Sequence, residues 1–195
     1  MSPLEPSPFA SFAELEQQAR ACTKCPLAST RTQVVFGVGN PAADLMFVGE
    51  GPGEQEDLQG EPFVGRAGQL LTRLIEEIGL DRGSVYIANV VKCRPPGNRD
   101  PLPVEIDSCR PYLEAQLRFV DPAVVVTLGN FATKLLLDTK EGITKLRGRE
   151  FPFGEHGVLL PTFHPSAVLR NGGAALAQAR ADFVRIKRAL ARTGP

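Results

Sequence analysis

Glu50, Asn89 and His164 are the side chains best placed to do chemistry in this sequence, because each falls at or just past the carboxyl end of an apolar run. In a parallel sheet those ends share one edge, where ligands gather in open α/β folds, so a single cleft can hold all three. A carboxylate orients or activates water, an imidazole donates or moves a proton, and an amide offers both a donor and an acceptor. Gly49-Glu50-Gly51-Pro52-Gly53 allows an abrupt turn, and Glu54, Glu56, Asp57 and Glu61 follow before Phe63. So many acids would repel a phosphate, and no Gly-Lys-Ser/Thr is present, so a nucleotide-phosphate cradle is excluded.

The cysteines form a second constellation. Cys22 and Cys25 are spaced C-x2-C, 67 residues separate them from Cys93, and 15 more precede Cys109. In a reducing compartment they are not expected to pair as disulfides. Zinc and an iron–sulfur cluster both accept four thiolates, and the split spacing does not choose between them or exclude ordinary core packing.

The elements that position these residues can be read from apolar periodicity. Leu45–Val48, Val85–Val91, Ala123–Leu128 and Val158–Phe163 are short apolar runs without polar alternation, as strands covered on both faces require. Helices are expected from Ser11 to about Arg20, with Ser11 and Glu14 as a capping box, and from Gly68 through Ile78. Others run from about Val104 to Phe119, from Asn130 through Leu137, and from about Ala174 to Ala191. Arg31 to Asn40 reads as irregular or weakly extended, and an edge hairpin is expected around Phe151 to Gly157. The alternation predicts an α/β fold, a three-layer α/β/α sandwich with a central four-stranded parallel sheet.

At 195 residues the chain suits one domain, residues 11–195, behind a proline-rich tail at residues 1–10 expected to be disordered. Lysine plus arginine and aspartate plus glutamate are 22 each, so a polyanion must be bound by local patches rather than by the global field. No apolar run approaches the roughly 20 residues of a membrane span, and the first residues lack the pattern of a secretory signal. A cytoplasmic protein without membrane contact is expected.

Several motifs together resemble one family. They are Gly49-Glu50-Gly51-Pro52-Gly53 with Glu56-Asp57; Pro62-Phe63-Val64-Gly65; Asn89 in Asn-Val-Val-Lys-Cys-Arg-Pro-Pro; the four spaced cysteines; and His164-Pro165-Ser166-Ala167-Val168-Leu169-Arg170-Asn171. In this order they resemble the family 4 uracil-DNA glycosylases, the iron–sulfur enzymes of thermophiles and other bacteria.

The resemblance implies a monofunctional, monomeric DNA-repair enzyme acting on uracil-containing DNA. It would flip the base out and hydrolyse the N-glycosidic bond, leaving an abasic site. Gly49, Glu50, Gly51, Phe63, Asn89 and His164 would bind the base, with Phe63 stacking on it and Asn89 matching O4 and N3–H. His164 would donate to O2, and Glu50 would handle the water and the sugar cation. More distant glycosylase families carry aspartate or asparagine where Gly51 stands, so the water-activating residue of those families is absent here. Glu56 would crowd C5 and exclude thymine. Val168, Leu169 and Arg170 would form the wedge that enters the duplex, and Cys22, Cys25, Cys93 and Cys109 would hold a structural [4Fe–4S] cluster. Lys92, Arg94 and Arg99, with Lys145, Arg147 and Arg149, offer the basic patches, whereas Arg185, Arg188 and Arg192 read as a solvated helix face. The competing readings are a non-catalytic iron–sulfur DNA-binding module and a glycosylase for another deaminated base.

Overall fold

Unbroken apolar runs become the central strands, since a strand buried on both faces needs no polar alternation. In the computed structural model, which describes residues 8–193, β2 (Leu45–Gly49), β3 (Tyr86–Asn89), β4 (Val124–Leu128) and β6 (Gly157–Thr162) run parallel in the order β3-β2-β4-β6. Two antiparallel edge strands, β1 (Val38–Gly39) beside β3 and β5 (Phe151–Phe153) beside β6, extend this to a mixed sheet of six. The expected parallel four are therefore its centre. β5 is the expected hairpin strand, while β1 lies in the stretch read as weakly extended.

Helices cover both faces. α3 (Arg66–Glu77) and α8 (Gly173–Thr193) pack with Phe47, Ile87 and Val126 on one side. On the other, α4 (Pro103–Val120) and α5 (Asn130–Leu137) pack with Met46, Val48 and Val125. α1 (Phe12–Arg20) is capped as expected, Ser11 Oγ accepting from the Glu14 amide at 3.1 Å, and it adds an outer cluster around Phe36 and Tyr112. Of the expected tail, residues 1–7 lie outside the described residues. Phe9, at its end, is buried and stacks on Tyr112 with ring centroids 5.8 Å apart, so the ordered chain begins before residue 11.

Three short helices stand where loops or turns were expected. α2 (Glu54–Gln59) forms inside the acidic segment, α6 (Ile143–Leu146) inside the basic one, and α7 (Pro165–Asn171) follows His164. Among the described residues no helix is long and apolar enough to cross a membrane. The register then sets the site: Gly49 pairs with Asn89 across β2 and β3, and Leu128 pairs with Thr162, so Glu50, Asn89 and His164 emerge on one edge.

Candidate active site

A cleft of about 820 Å³ opens along that edge, and Glu50, Gly51, Phe63, Asn89, His164 and Arg170 all line it. The three strand-end residues expected to converge therefore do so. Phe63 reaches the cleft from a loop in an unusual conformation, its φ of 54° being left-handed, which is uncommon for a bulky residue. The backbone is held there on several sides. Arg82 Nη2 donates to the Pro62 carbonyl, and a Cβ at Gly68 would collide with the Phe63 carbonyl group. The ring ends up 5.6 Å from the His164 ring, tilted by 34°.

Asn89 is the last residue of β3 and is buried, with Oδ1 lacking any hydrogen-bond partner among the described residues. Leaving a buried acceptor unpaired costs about 1–3 kcal/mol, so a protein keeps one where a ligand will satisfy it. The neighbouring Gly49 makes the arrangement possible, because a Cβ there would strike Asn89 Oδ1 and come within 2.6 Å of the Phe63 ring. An orphaned amide acceptor thus lies beside an aromatic ring.

His164 is the N-cap of α7, and Nδ1 accepts from the Ser166 amide at 3.2 Å, with Ser166 Oγ 2.7 Å away. A main-chain N–H can only donate, so Nδ1 carries the lone pair and the neutral ring carries its proton on Nε2. Burial pushes the imidazole pKa down to about 4, helped by Arg170 and opposed by Glu56. At neutral pH His164 is therefore an uncharged hydrogen-bond donor.

Glu50 follows β2 directly. Burial, and then the charge of Asp100 across the cleft, hold its carboxyl above the usual carboxylate range. Glu56 is fixed differently: Oε1 accepts from the amides of Val64 and Gly65 at 2.9 and 3.0 Å, and Oε2 from that of Gly53 at 3.2 Å. Asp57 is buried and accepts from the Thr32 and Gln33 amides. Of the acids in this segment, Glu56 and Asp57 brace the backbone, while Glu50 and the more exposed Glu54 face the cleft.

The basic residues depart most from expectation. Lys92 is buried at 2 % exposure, which rules it out as a DNA contact; its ammonium donates to the Asn89 carbonyl and to Gln116 Oε1. Arg147 pairs with buried Asp182 at 2.8 Å and Arg99 with buried Glu105 at 2.6 Å, so both brace the fold. Arg149 lies over the Phe151 ring. Arg185, Arg188 and Arg192 are exposed, as expected of a solvated face, where Arg185 and Arg192 also bond to Asp182 and Glu150. Arg66 and Lys134 line the cleft with Arg170, and among the described residues none of these three is paired with a carboxylate. Of the residues expected to form a wedge, Val168 belongs to the core at 3 % exposure, whereas Leu169 is 44 % exposed.

Besides Arg66 and Lys134, sequence reasoning passed over Asp100. The Arg-Asp-Pro context around Asp100 reads as an ordinary loop, and only the fold brings that loop, through Pro95, Asn98 and Asp100, onto the wall of the cleft.

Cys22, Cys25, Cys93 and Cys109 line one small cavity between α1 and the start of α4. Among the described residues no three His, Cys, Asp or Glu side chains converge as they would on one metal ion. Four thiols lining one cavity suit either zinc or an iron–sulfur cluster, since both accept four thiolates. The sulfurs are already supported by N–H donors, Arg31 Nη1 reaching Cys93 Sγ at 3.4 Å and the Lys92 amide reaching Cys109 Sγ at 3.5 Å.

An aromatic ring beside an orphaned amide acceptor, at the carboxyl edge of a parallel sheet and with cations on the rim, is a site suited to a flat polar heterocycle. Comparison with known proteins agrees. The model of the Uracil DNA glycosylase superfamily matches residues 36–191. A type-4 uracil-DNA glycosylase of Thermotoga maritima is 50% identical over 158 residues, 80% of this chain and 82% of the relative. One from Sulfurisphaera tokodaii is 46% identical over 169 residues, 83% and 77% of the two chains. A type-5 uracil-DNA glycosylase of Mycobacterium leprae is 30% identical over 200 residues, 80% and 85%. The chain belongs to the uracil-DNA glycosylase superfamily, in its type-4 branch.

Proposed function

We propose that this chain excises uracil from DNA, and that the orphaned Oδ1 of Asn89 is the observation that carries this reading. Uracil presents N3–H to that acceptor and O4 to the amide NH2, while cytosine presents the reverse pattern at these positions and would leave buried polar groups facing like with like. A site built this way discriminates by about 10⁴-fold or more. Phe63 stacks on the extruded base, and Glu56, immobilised by three amides, forms the rigid wall that turns away the thymine methyl group.

The bond from N1 to the sugar C1′ then breaks, its electrons leaving with uracil as an anion and water adding to the sugar cation. His164, with its proton on Nε2, donates to O2 as that charge develops. Glu50 orients the water and stabilises the cation. Leu169 fills the gap in the duplex while Arg66, Lys134 and Arg170 hold phosphates. Each of these residues comes from one chain, so a monomer suffices.

The four cysteines hold a [4Fe–4S] cluster whose contribution is structural, cross-linking α1, α4 and the loop that leaves Cys93 to form one cleft wall. Four unpaired cysteines are kept reduced in the cytoplasm, which supports a cytoplasmic location. The test is cleavage of an end-labelled oligonucleotide with a single uracil, scored after alkali, against thymine and cytosine controls. Breakage at uracil alone supports the function, and intact strands from folded, DNA-binding protein refute it. Brown protein with about four irons per chain supports the cluster; anaerobically purified colourless protein containing zinc refutes it.

A further inference from the structure

Among the described residues one lysine is fully enclosed, and the chemistry above does not use it. Lys92 is 2 % exposed, yet its ammonium donates to the main-chain carbonyl of Asn89 at 2.6 Å and to Gln116 Oε1. Gln116 is itself buried and fixed, its amide donating to the Phe36 carbonyl at 2.8 Å and to Tyr86 Oη at 3.1 Å. On the main-chain side, Lys92 donates its amide to Cys109 Sγ, and its carbonyl accepts from Val35 at 2.8 Å. Enclosing an ammonium costs several kcal/mol unless hydrogen bonds offset it, and here its acceptors are a main-chain carbonyl and an amide oxygen rather than a carboxylate. A purely architectural role therefore accounts poorly for this lysine.

What the ammonium grips is informative. Asn89 ends β3, and the next two amides still bond across to the neighbouring strand, Val90 N–H donating to the Gly49 carbonyl at 2.9 Å and Val91 N–H to the Glu50 carbonyl at 3.1 Å, before the chain runs on to Cys93. The peptide that follows the base-reading side chain is thus held on its N–H side by the Gly49 carbonyl, and its own carbonyl is the group Lys92 takes. Lys92 clamps its carbonyl from three residues downstream, and the same lysine is anchored between Cys109 and Gln116. We infer that Lys92 is a positioning residue that locks the Asn89 peptide, and with it the amide aimed at the base, to the wall of the cysteine site. The inference rests on the uracil-reading role of Asn89. It makes no use of electron transfer or of a change in protonation.

The test uses the full chain with its cysteine site loaded, and the variants Lys92→Met, Gln116→Met, Asn89→Ala and Lys92→Met with Asn89→Ala. Single-turnover excision from a uracil duplex, affinity for abasic product duplex, and iron content are measured for each. Displacing a reading group by around an ångström costs about 100-fold in rate. Lys92→Met should therefore slow excision about 100-fold with product affinity and iron content unchanged, and Gln116→Met should act in the same direction with smaller size. On the Asn89→Ala background Lys92→Met should add less than about twofold, because the group it positions is gone.

An equal loss on both backgrounds would overturn the assignment, as would a parallel loss of product affinity. Should Lys92→Met fail to fold, Gln116→Met and its double variant with Asn89→Ala decide the question by the same non-additivity. Wild-type protein inert on uracil would instead refute the proposed function, and the assignment with it.

Discussion

Replacing Asn89 by leucine should raise the stability of the free protein while abolishing excision. Leucine keeps the branch point of asparagine and puts a methyl group where Oδ1 now lies buried without a partner. Removing that unpaired acceptor relieves about 1–3 kcal/mol. In a domain of this size each kcal/mol moves Tm by about 2–4 °C, so a relief of about 2 kcal/mol predicts a rise of roughly 4–8 °C. The same change removes both hydrogen bonds to the base, and single-turnover excision should fall by about 10⁴-fold or more, equivalent to about 5.4 kcal/mol of barrier. Thermal unfolding without DNA and excision under enzyme excess read the two quantities separately. A fall in Tm with substantial excision retained would refute the reasoning, since it would make Asn89 an ordinary structural amide.

Other outcomes follow from the same geometry. Excision should fail at low pH as Glu50 takes up a proton, and because Asp100 helps hold that pKa up, Asp100→Asn should move the acid limb of the pH–rate profile to lower pH; no movement would remove Asp100 from the cleft's electrostatics. His164→Ala should slow excision by about 10²–10³-fold, the loss of one oxyanion donor. Because its pKa is held near 4, no further limb from His164 should appear between pH 6 and 8. Arg66→Ala, Lys134→Ala and Arg170→Ala should each lower the salt dependence of DNA affinity by about one unit of slope, whereas Arg147→Ala should lower Tm and leave that slope alone. Glu50→Gln should bind DNA more tightly while excising more slowly, and weaker binding would show that Glu50 holds DNA rather than acting on the sugar cation.

The sequence carries the central sheet plainly, because strands such as Val124–Leu128 are buried on both faces and display that burial as an uninterrupted apolar run. It also carries Glu50, Asn89 and His164, since chemistry at strand ends follows from parallel topology once the strands are known. α2 and α7, of six and seven residues, are too short to show a helical period, and neither begins on Ser, Thr, Asp or Asn. The cations were misread for a different reason. Lys92 and Arg147 look solvated locally, but their partners Gln116 and Asp182 stand 24 and 35 residues away. Nothing in local spacing marks such a pair. Val168 failed similarly, because a wedge residue and a core residue are both apolar and only packing separates them.

The acidic segment explains how a neutral chain can grip a polyanion through a cleft lined with carboxylates. Glu56 and Asp57 turn their charges to main-chain amides, which disperses them before they reach the DNA. Among the described residues, neither Glu50 nor Asp100 accepts a side-chain hydrogen bond, so both keep their negative field in the cleft. In the ground state that field repels phosphate, and Arg66, Lys134 and Arg170 at the rim must outweigh it. Once the glycosidic bond stretches, the sugar becomes cationic and the same field turns attractive. An interaction unfavourable to the bound substrate and favourable to the transition state lowers the barrier by the sum of both effects. The mutual repulsion of Glu50 and Asp100 also keeps Glu50 basic enough to take a proton from the attacking water.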